Sequence, residues 1–98
     1  MEVGKKVRIE ERLIAKGRDA FIWKTVPNGA SIQLWEKHVA EAVNEQNQPA
    51  LTRHIFHIPF VAGLARGNRV TYLGTKFAVL KVSDSPKLLG LELLCELA

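Results

Sequence analysis

The chain has 98 residues, 47% of them hydrophobic and 24% charged, with a formal net charge of +4 and a pI near 9.5. One domain with one modest core is expected over residues 1–98, and the charge is too mild for the dense basic field of a dedicated DNA-binding protein. A single cysteine, Cys95, rules out an intramolecular disulfide. No apolar run approaches the roughly 20 residues that cross a bilayer, and the first residues lack the apolar stretch of a secretion signal. The chain is therefore expected in a reducing cytoplasm, off the membrane.

The charge is uneven. Residues 1–24 carry seven Lys/Arg against four acids, and residues 51–98 carry six against three. Residues 25–50 hold one lysine and three glutamates. The simplest reading is solubility charge, but a basic shell around an acidic middle also suits passing DNA or an acidic partner surface.

Residues 6–15 open with alternation, Val7 and Ile9 against Arg8 and Glu10, which predicts a strand, although Glu10 to Leu13 also fits a helix. Lys16-Gly17-Arg18-Asp19 is a turn. Ala20 to Val26 forms a second strand, ended by Pro27-Asn28-Gly29. Ala30 to Gln33 resumes extended structure. Trp35, Val39, Ala42 and Val43 then recur at helical spacing, predicting about three helical turns within an insert over 33–50 that stops at Gln46-Asn47-Gln48-Pro49. From residue 51 the period is two again. His54, Phe56, Ile58 and Phe60 share one face of a strand whose internal Pro59 suits a sheet edge or a bulge. Arg69 to Tyr72 and Lys76 to Val82 pair across Leu73-Gly74-Thr75. Asp84-Ser85-Pro86-Lys87 is a further turn, and Leu89 to Leu97 alternate as the last strand. The expected fold is all-β: a small closed or partly open β-barrel or sandwich of about six strands with one short inserted helix.

Catalytic chemistry has no visible carrier in this pattern. His38, His54, His57 and Cys95 lack the spacing of a zinc set, and Cys95 lies in register with leucines, as a small buried hydrophobe would. Adjacent Glu10 and Glu11 diverge on a strand. Gly63, Gly67 and Gly74 read as turn glycines and match no phosphate-binding loop. No enzyme, cofactor or metal is expected. A small basic barrel also suggests a nucleic-acid-binding module, but Phe56 and Phe60 look like core, leaving Trp23 beside Lys24 and Tyr72 near Arg69 as base-stacking platforms. The apolar stripe of Trp35, Val39 and Val43 reads equally as a cap on the barrel or as a subunit interface.

Several of these elements occur in a recognisable order. They are His54, Phe56, Ile58 and Phe60, Gly63-Leu64, Arg69-Val70 with Tyr72 and Gly74, Phe77 with Val79, and Leu91 to Glu96; Trp23 and Ala30-Ser31-Ile32 fit more loosely upstream. Together, from about Trp23 to Glu96, they resemble the head-tail joining (head-closure, head-tail adaptor) proteins of tailed bacteriophages and prophages. The chain departs from that family in having Ile55, His57, Pro59 and Val61 where arginines are usual, and Gly29 where a tryptophan commonly stands.

The resemblance implies a non-enzymatic β-barrel that assembles in the host cytoplasm. It would become a homo-oligomeric ring in the virion neck, between the portal or connector and the tail, closing the head after DNA packaging. Its implied partners are further copies of itself, the portal or connector protein, a tail-completion or tail protein, and packaged DNA in the lumen. On this reading Trp35, Lys37, His38, Val39 and Val43 line a subunit interface or the lumen, and Arg53, Arg66 and Arg69 face DNA. A tail-completion or tail-terminator ring is the nearest alternative, and a small basic nucleic-acid-binding barrel the next.

Overall fold

Residues that alternate apolar with polar present one wet and one dry face, and this chain uses that device from end to end. A computed structural model describes residues 5–14, 21–43, 49–85 and 89–98. Their elements are β1 (Lys6–Ile14), β2 (Phe21–Thr25), β3 (Ile32–Gln33), β4 (Glu36–Val43), β5 (Pro49–Ile58), β6 (Arg69–Tyr72), β7 (Thr75–Ser85) and β8 (Gly90–Leu97). All pairings are antiparallel, in one eight-stranded sheet of order β2-β1-β6-β7-β8-β5-β4, with β3 also on β1.

The all-β expectation holds, but the described residues contain no helix. The segment predicted as an inserted helix is β4 and the start of β5, paired from Glu36↔His57 to Val43↔Pro49. Trp35 and Val39 are four apart, a spacing that is a multiple of two as well as near a helical turn, so the pattern suits a strand equally well. Eight strands replace the expected six. The helical alternative for Glu10 to Leu13 does not occur, because these residues pair with β2. Nor is β5 an edge strand, since β4 and β8 flank it; Pro59 lies just past its last residue and ends it. The turn over 16–19 and the polar stop at 46–48 lie outside the described residues.

The sheet is not closed into a barrel. Its two halves are linked by the chain running through β3 into β4. Ile32 and Gln33 pair with Val7 and Lys6. Leu34 N–H donates to the Lys5 carbonyl at 2.9 Å, and Trp35 N–H, one residue on, donates to the His57 carbonyl at 2.9 Å. The chain from β3 through Leu34 and Trp35 to β4 thus serves β1 with its first part and β5 with its second.

The core lies on one face of this sheet. Val7 and Ile9 meet Val26, Ile32, Phe56, Ile58, Val70, Phe77, Val79, Leu91, Leu93 and Cys95 there, all buried. Phe56 occupies its centre, edge-on to Phe77 at 5.1 Å and to Tyr72 at 6.0 Å, the arrangement the aromatic quadrupole favours. A register shift between Val79 and Lys81 bends β7 as it crosses β8. Leu73 (φ 50°) and Gly74 (φ 80°) join β6 to β7 as a two-residue turn with both φ positive, the geometry that matches strand twist.

Candidate functional site

Two strand ends run past the body of the sheet. On β1 the pairing to β6 stops at Glu10, while the pairing to β2 begins there and continues to Ile14↔Phe21. The result is a two-stranded ribbon with no third strand beside it among the described residues. Its sequence is apolar where solvent-facing residues are normally polar: Ile14, Phe21, Ile22 and Trp23 are all exposed, Phe21 at 54%. One face of the ribbon alternates cations with rings. The Arg69 guanidinium lies 4.1 Å from the Trp23 ring centre and the Arg12 guanidinium 4.3 Å from that of Phe21. Aromatic and arginine side chains of this kind anchor protein interfaces.

The second feature is the seam where the two halves of the sheet meet. Lys5, Gln33, Leu34, Trp35, Glu36, Lys37 and Tyr72 line a cleft of about 390 Å³. Lys37 folds inward, its ammonium 3.3 Å from His54 Nδ1 and 5.6 and 5.8 Å from the Phe56 and Phe77 ring centres. The neutral His54 ring accepts that hydrogen bond. Burial first, and the Lys37 charge second, hold His54 below its ordinary value of 6.5. Trp35 is exposed and Val39 is exposed on the outermost strand.

Of the five residues assigned from sequence to an interface or lumen, Trp35 and Lys37 therefore meet in the seam. His38 turns to the other face of β4, with Nε2 3.1 Å from Glu36 Oε1. The backbone of Val43 pairs with Pro49. Lys5, which helps to line the cleft, carries no sequence signal, and Tyr72 stands out in the sequence only as a stacking platform and a turn-flanking residue; strand pairing places Tyr72 at the seam.

The three arginines divide. Arg53 is ion-paired to Glu96 at 3.3 Å. Arg69 is held by Glu10, with Nε at 3.2 Å and its terminal nitrogen at 2.9 Å from the same oxygen. Arg66 is exposed in the loop between β5 and β6. Two of the three charges are thus answered within the chain. Trp23, named from sequence as a stacking platform, already has Arg69 over its ring.

Cys95 is a cross-strand partner of His54, but this pair is not an activated nucleophile. The thiol is fully buried, and burial pushes it up to about 12, the opposite of the lowering that makes a reactive thiolate. No helix among the described residues is long and apolar enough to cross a membrane.

No protein-family model matches the chain, and no curated protein matches it. Among solved structures, the fold is similar to that of the phage-like element PBSX protein xkdH from Bacillus subtilis. The TM-score is 0.54 at 11% sequence identity, over 95% of this chain and 92% of that one. At this identity the likeness is one of fold, and it extends over nearly the whole of both chains.

Proposed function

We propose that this chain is a structural protein of a phage or prophage particle. It would assemble as a ring in the neck, between the portal or connector and the tail. The observation that carries the reading is the β1–β2 ribbon. An isolated two-stranded ribbon is marginal in water, and this one sets Ile14, Phe21, Ile22 and Trp23 in solvent. Such a surface is explained by a neighbouring subunit that covers it. The fold shared with a protein of a phage-like element, and the order of elements from His54 to Glu96 in the sequence, support the same reading.

On this reading the work is mechanical. The curled sheet is the rigid wall of the ring, the ribbon reaches the adjacent copy, and the exposed edge of β4 with Val39 is a second contact. Packaged DNA passes through the lumen against exposed cations such as Arg66, a weak, salt-sensitive attraction that does not hold the duplex against ejection. The partners are further copies of the chain, the portal or connector, and a tail protein. Assembly takes place in the host cytoplasm and the product stays at the head-tail interface.

The test is electron microscopy of lysates from the parent phage or prophage with this gene deleted. Heads that have lost their DNA beside free tails of normal length are expected. Filled heads beside tails of wrong length would move the protein to the tail terminator, and normal virions would overturn the assignment.

A further inference from the structure

We infer that Glu36, His38 and His57 form a site for a divalent transition-metal ion of the zinc class on the outer face of the β4–β5 ladder. The inference is independent of the assembly reading. Glu36 and His38 are two apart on β4, so both side chains project from the same face. His57 is the cross-strand partner of Glu36 on β5 and lies on that face too. One ligand atom from each of the three lies within 4.8 Å of the other two.

Tetrahedral zinc with bonds of about 2.0–2.1 Å to nitrogen and carboxylate oxygen spaces its ligand atoms roughly 3.3 Å apart. His38 Nε2 and Glu36 Oε1 are already 3.1 Å apart. His57 is the anchored member. It is 8% exposed, and its Nδ1 lies 3.2 Å from the Ser85 hydroxyl on β7. With Nδ1–H donating to Ser85 Oγ, the Nε2 lone pair of His57 is left for a metal, and Ser85 supplies the orienting bond that ligating histidines almost always have. The two imidazoles stand nearly perpendicular, 86°, with ring centres 5.2 Å apart.

Two neutral imidazoles and one carboxylate suit zinc, cobalt or nickel. Three protein ligands leave the fourth position to water, on the side where His38 is exposed. Bound metal would fasten the outermost strand of the sheet to its neighbour. Sequence spacing hides this set, because His38 and His57 are brought together only by the β4–β5 register.

The experiment uses full-length protein free of any histidine tag, first cleared of metal with a chelator. Zinc is expected to raise the melting temperature reversibly, and cobalt to give the visible absorption of a tetrahedral site at one equivalent. Glu36→Gln and His38→Ala, on the sheet's outermost strand, are expected to abolish both signals while leaving the metal-free melting temperature close to that of the parent. Ser85→Ala is expected to weaken zinc binding about 10–100-fold, as loss of an outer-shell partner does. No zinc-dependent shift and no cobalt band at millimolar metal would overturn the proposal. So would signals that persist unchanged in both β4 variants.

Discussion

Arg69 and Glu10 face each other as direct partners on β6 and β1, and the guanidinium that Glu10 holds at 2.9 Å also lies over the Trp23 ring. Both charged side chains are mostly buried, with 16% and 14% of their surface exposed, so this pair joins the body of the sheet to the ribbon beyond it. Removing one partner leaves the other charge partly desolvated. Arg69→Ala is expected to cost about 1–3 kcal/mol in urea unfolding. Arg69→Lys should cost less than Arg69→Ala but not be neutral, because an ammonium loses the planar stack on Trp23 and the forked bond. Equal stability of Arg69→Lys and the parent would show that the ring contact contributes nothing.

The β6–β7 turn carries a leucine where its geometry favours asparagine or glycine. Leu73 has a φ of 50° and is 76% exposed, so it strains the backbone without adding to the core. Leu73→Asn is expected to stabilise the isolated chain by up to about 1 kcal/mol, because the short polar side chain of asparagine tolerates the left-handed region better than leucine does. The melting temperature checks this, and a lower value would mean that Leu73 packs against the fold.

Gly90 is required for a different reason, close approach. A Cβ there would run into the Ile58 carbonyl and reach Trp35 Cζ3 at 2.6 Å. Gly90→Ala should destabilise by roughly 2 kcal/mol, about 10 °C in a domain of this size. Combining it with Trp35→Ala should not restore stability, since the obstructing backbone oxygen remains. Full rescue by the double variant would assign the whole effect to the indole.

Much of this architecture is legible in the sequence, and the part that is not has a definite cause. Alternation at Val7 and Ile9, at Phe56 and Ile58, and from Leu91 to Cys95 marks strands whose inner residues form the core. Segment 35–43 misleads because its apolar residues at 35, 39 and 43 satisfy both periods. Lys37, between them on the same face, looks polar although its ammonium lies among His54, Phe56 and Phe77. The sites depend on register, which no spacing rule supplies. Glu10 meets Arg69 across 59 residues and His57 meets Glu36 across the β4–β5 hairpin. The pairing of Arg53 and Arg69 with carboxylates is invisible for the same reason.

His54 makes stability depend on pH in a fixed direction. Its folded value is held below 6.5 by burial and by Lys37, so between the folded value and 6.5 the unfolded chain binds more protons than the folded one. Stability is therefore fully present above about 6.5 and falls as pH drops through that window. The parent chain is expected to lose melting temperature between pH 7 and pH 5 more steeply than a His54→Gln variant. Lys37→Met should raise the His54 value part of the way back, as read by proton NMR titration. A His54 resonance titrating at or above 6.5 in the parent would contradict the burial argument.

The ribbon separates assembly from stability. Phe21 and Ile22 are exposed on β2, which among the described residues pairs with β1 alone, so replacing them removes little beyond the Arg12 contact with the Phe21 ring. Trp23 is left intact because Arg69 stacks on it. The double variant Phe21→Lys, Ile22→Lys is expected to lose at most the roughly 0.5–1 kcal/mol of an exposed cation–ring contact and to stay folded. If a neighbouring copy covers this surface, two buried lysines without partners block its docking. Complementation of the deleted gene by the variant should then yield few intact head-tail particles, while the purified chain remains folded. A variant that restores normal particle numbers would free the ribbon from any part in assembly. It would move the subunit contact to the other exposed edge, β4, where Val39→Lys becomes the corresponding substitution.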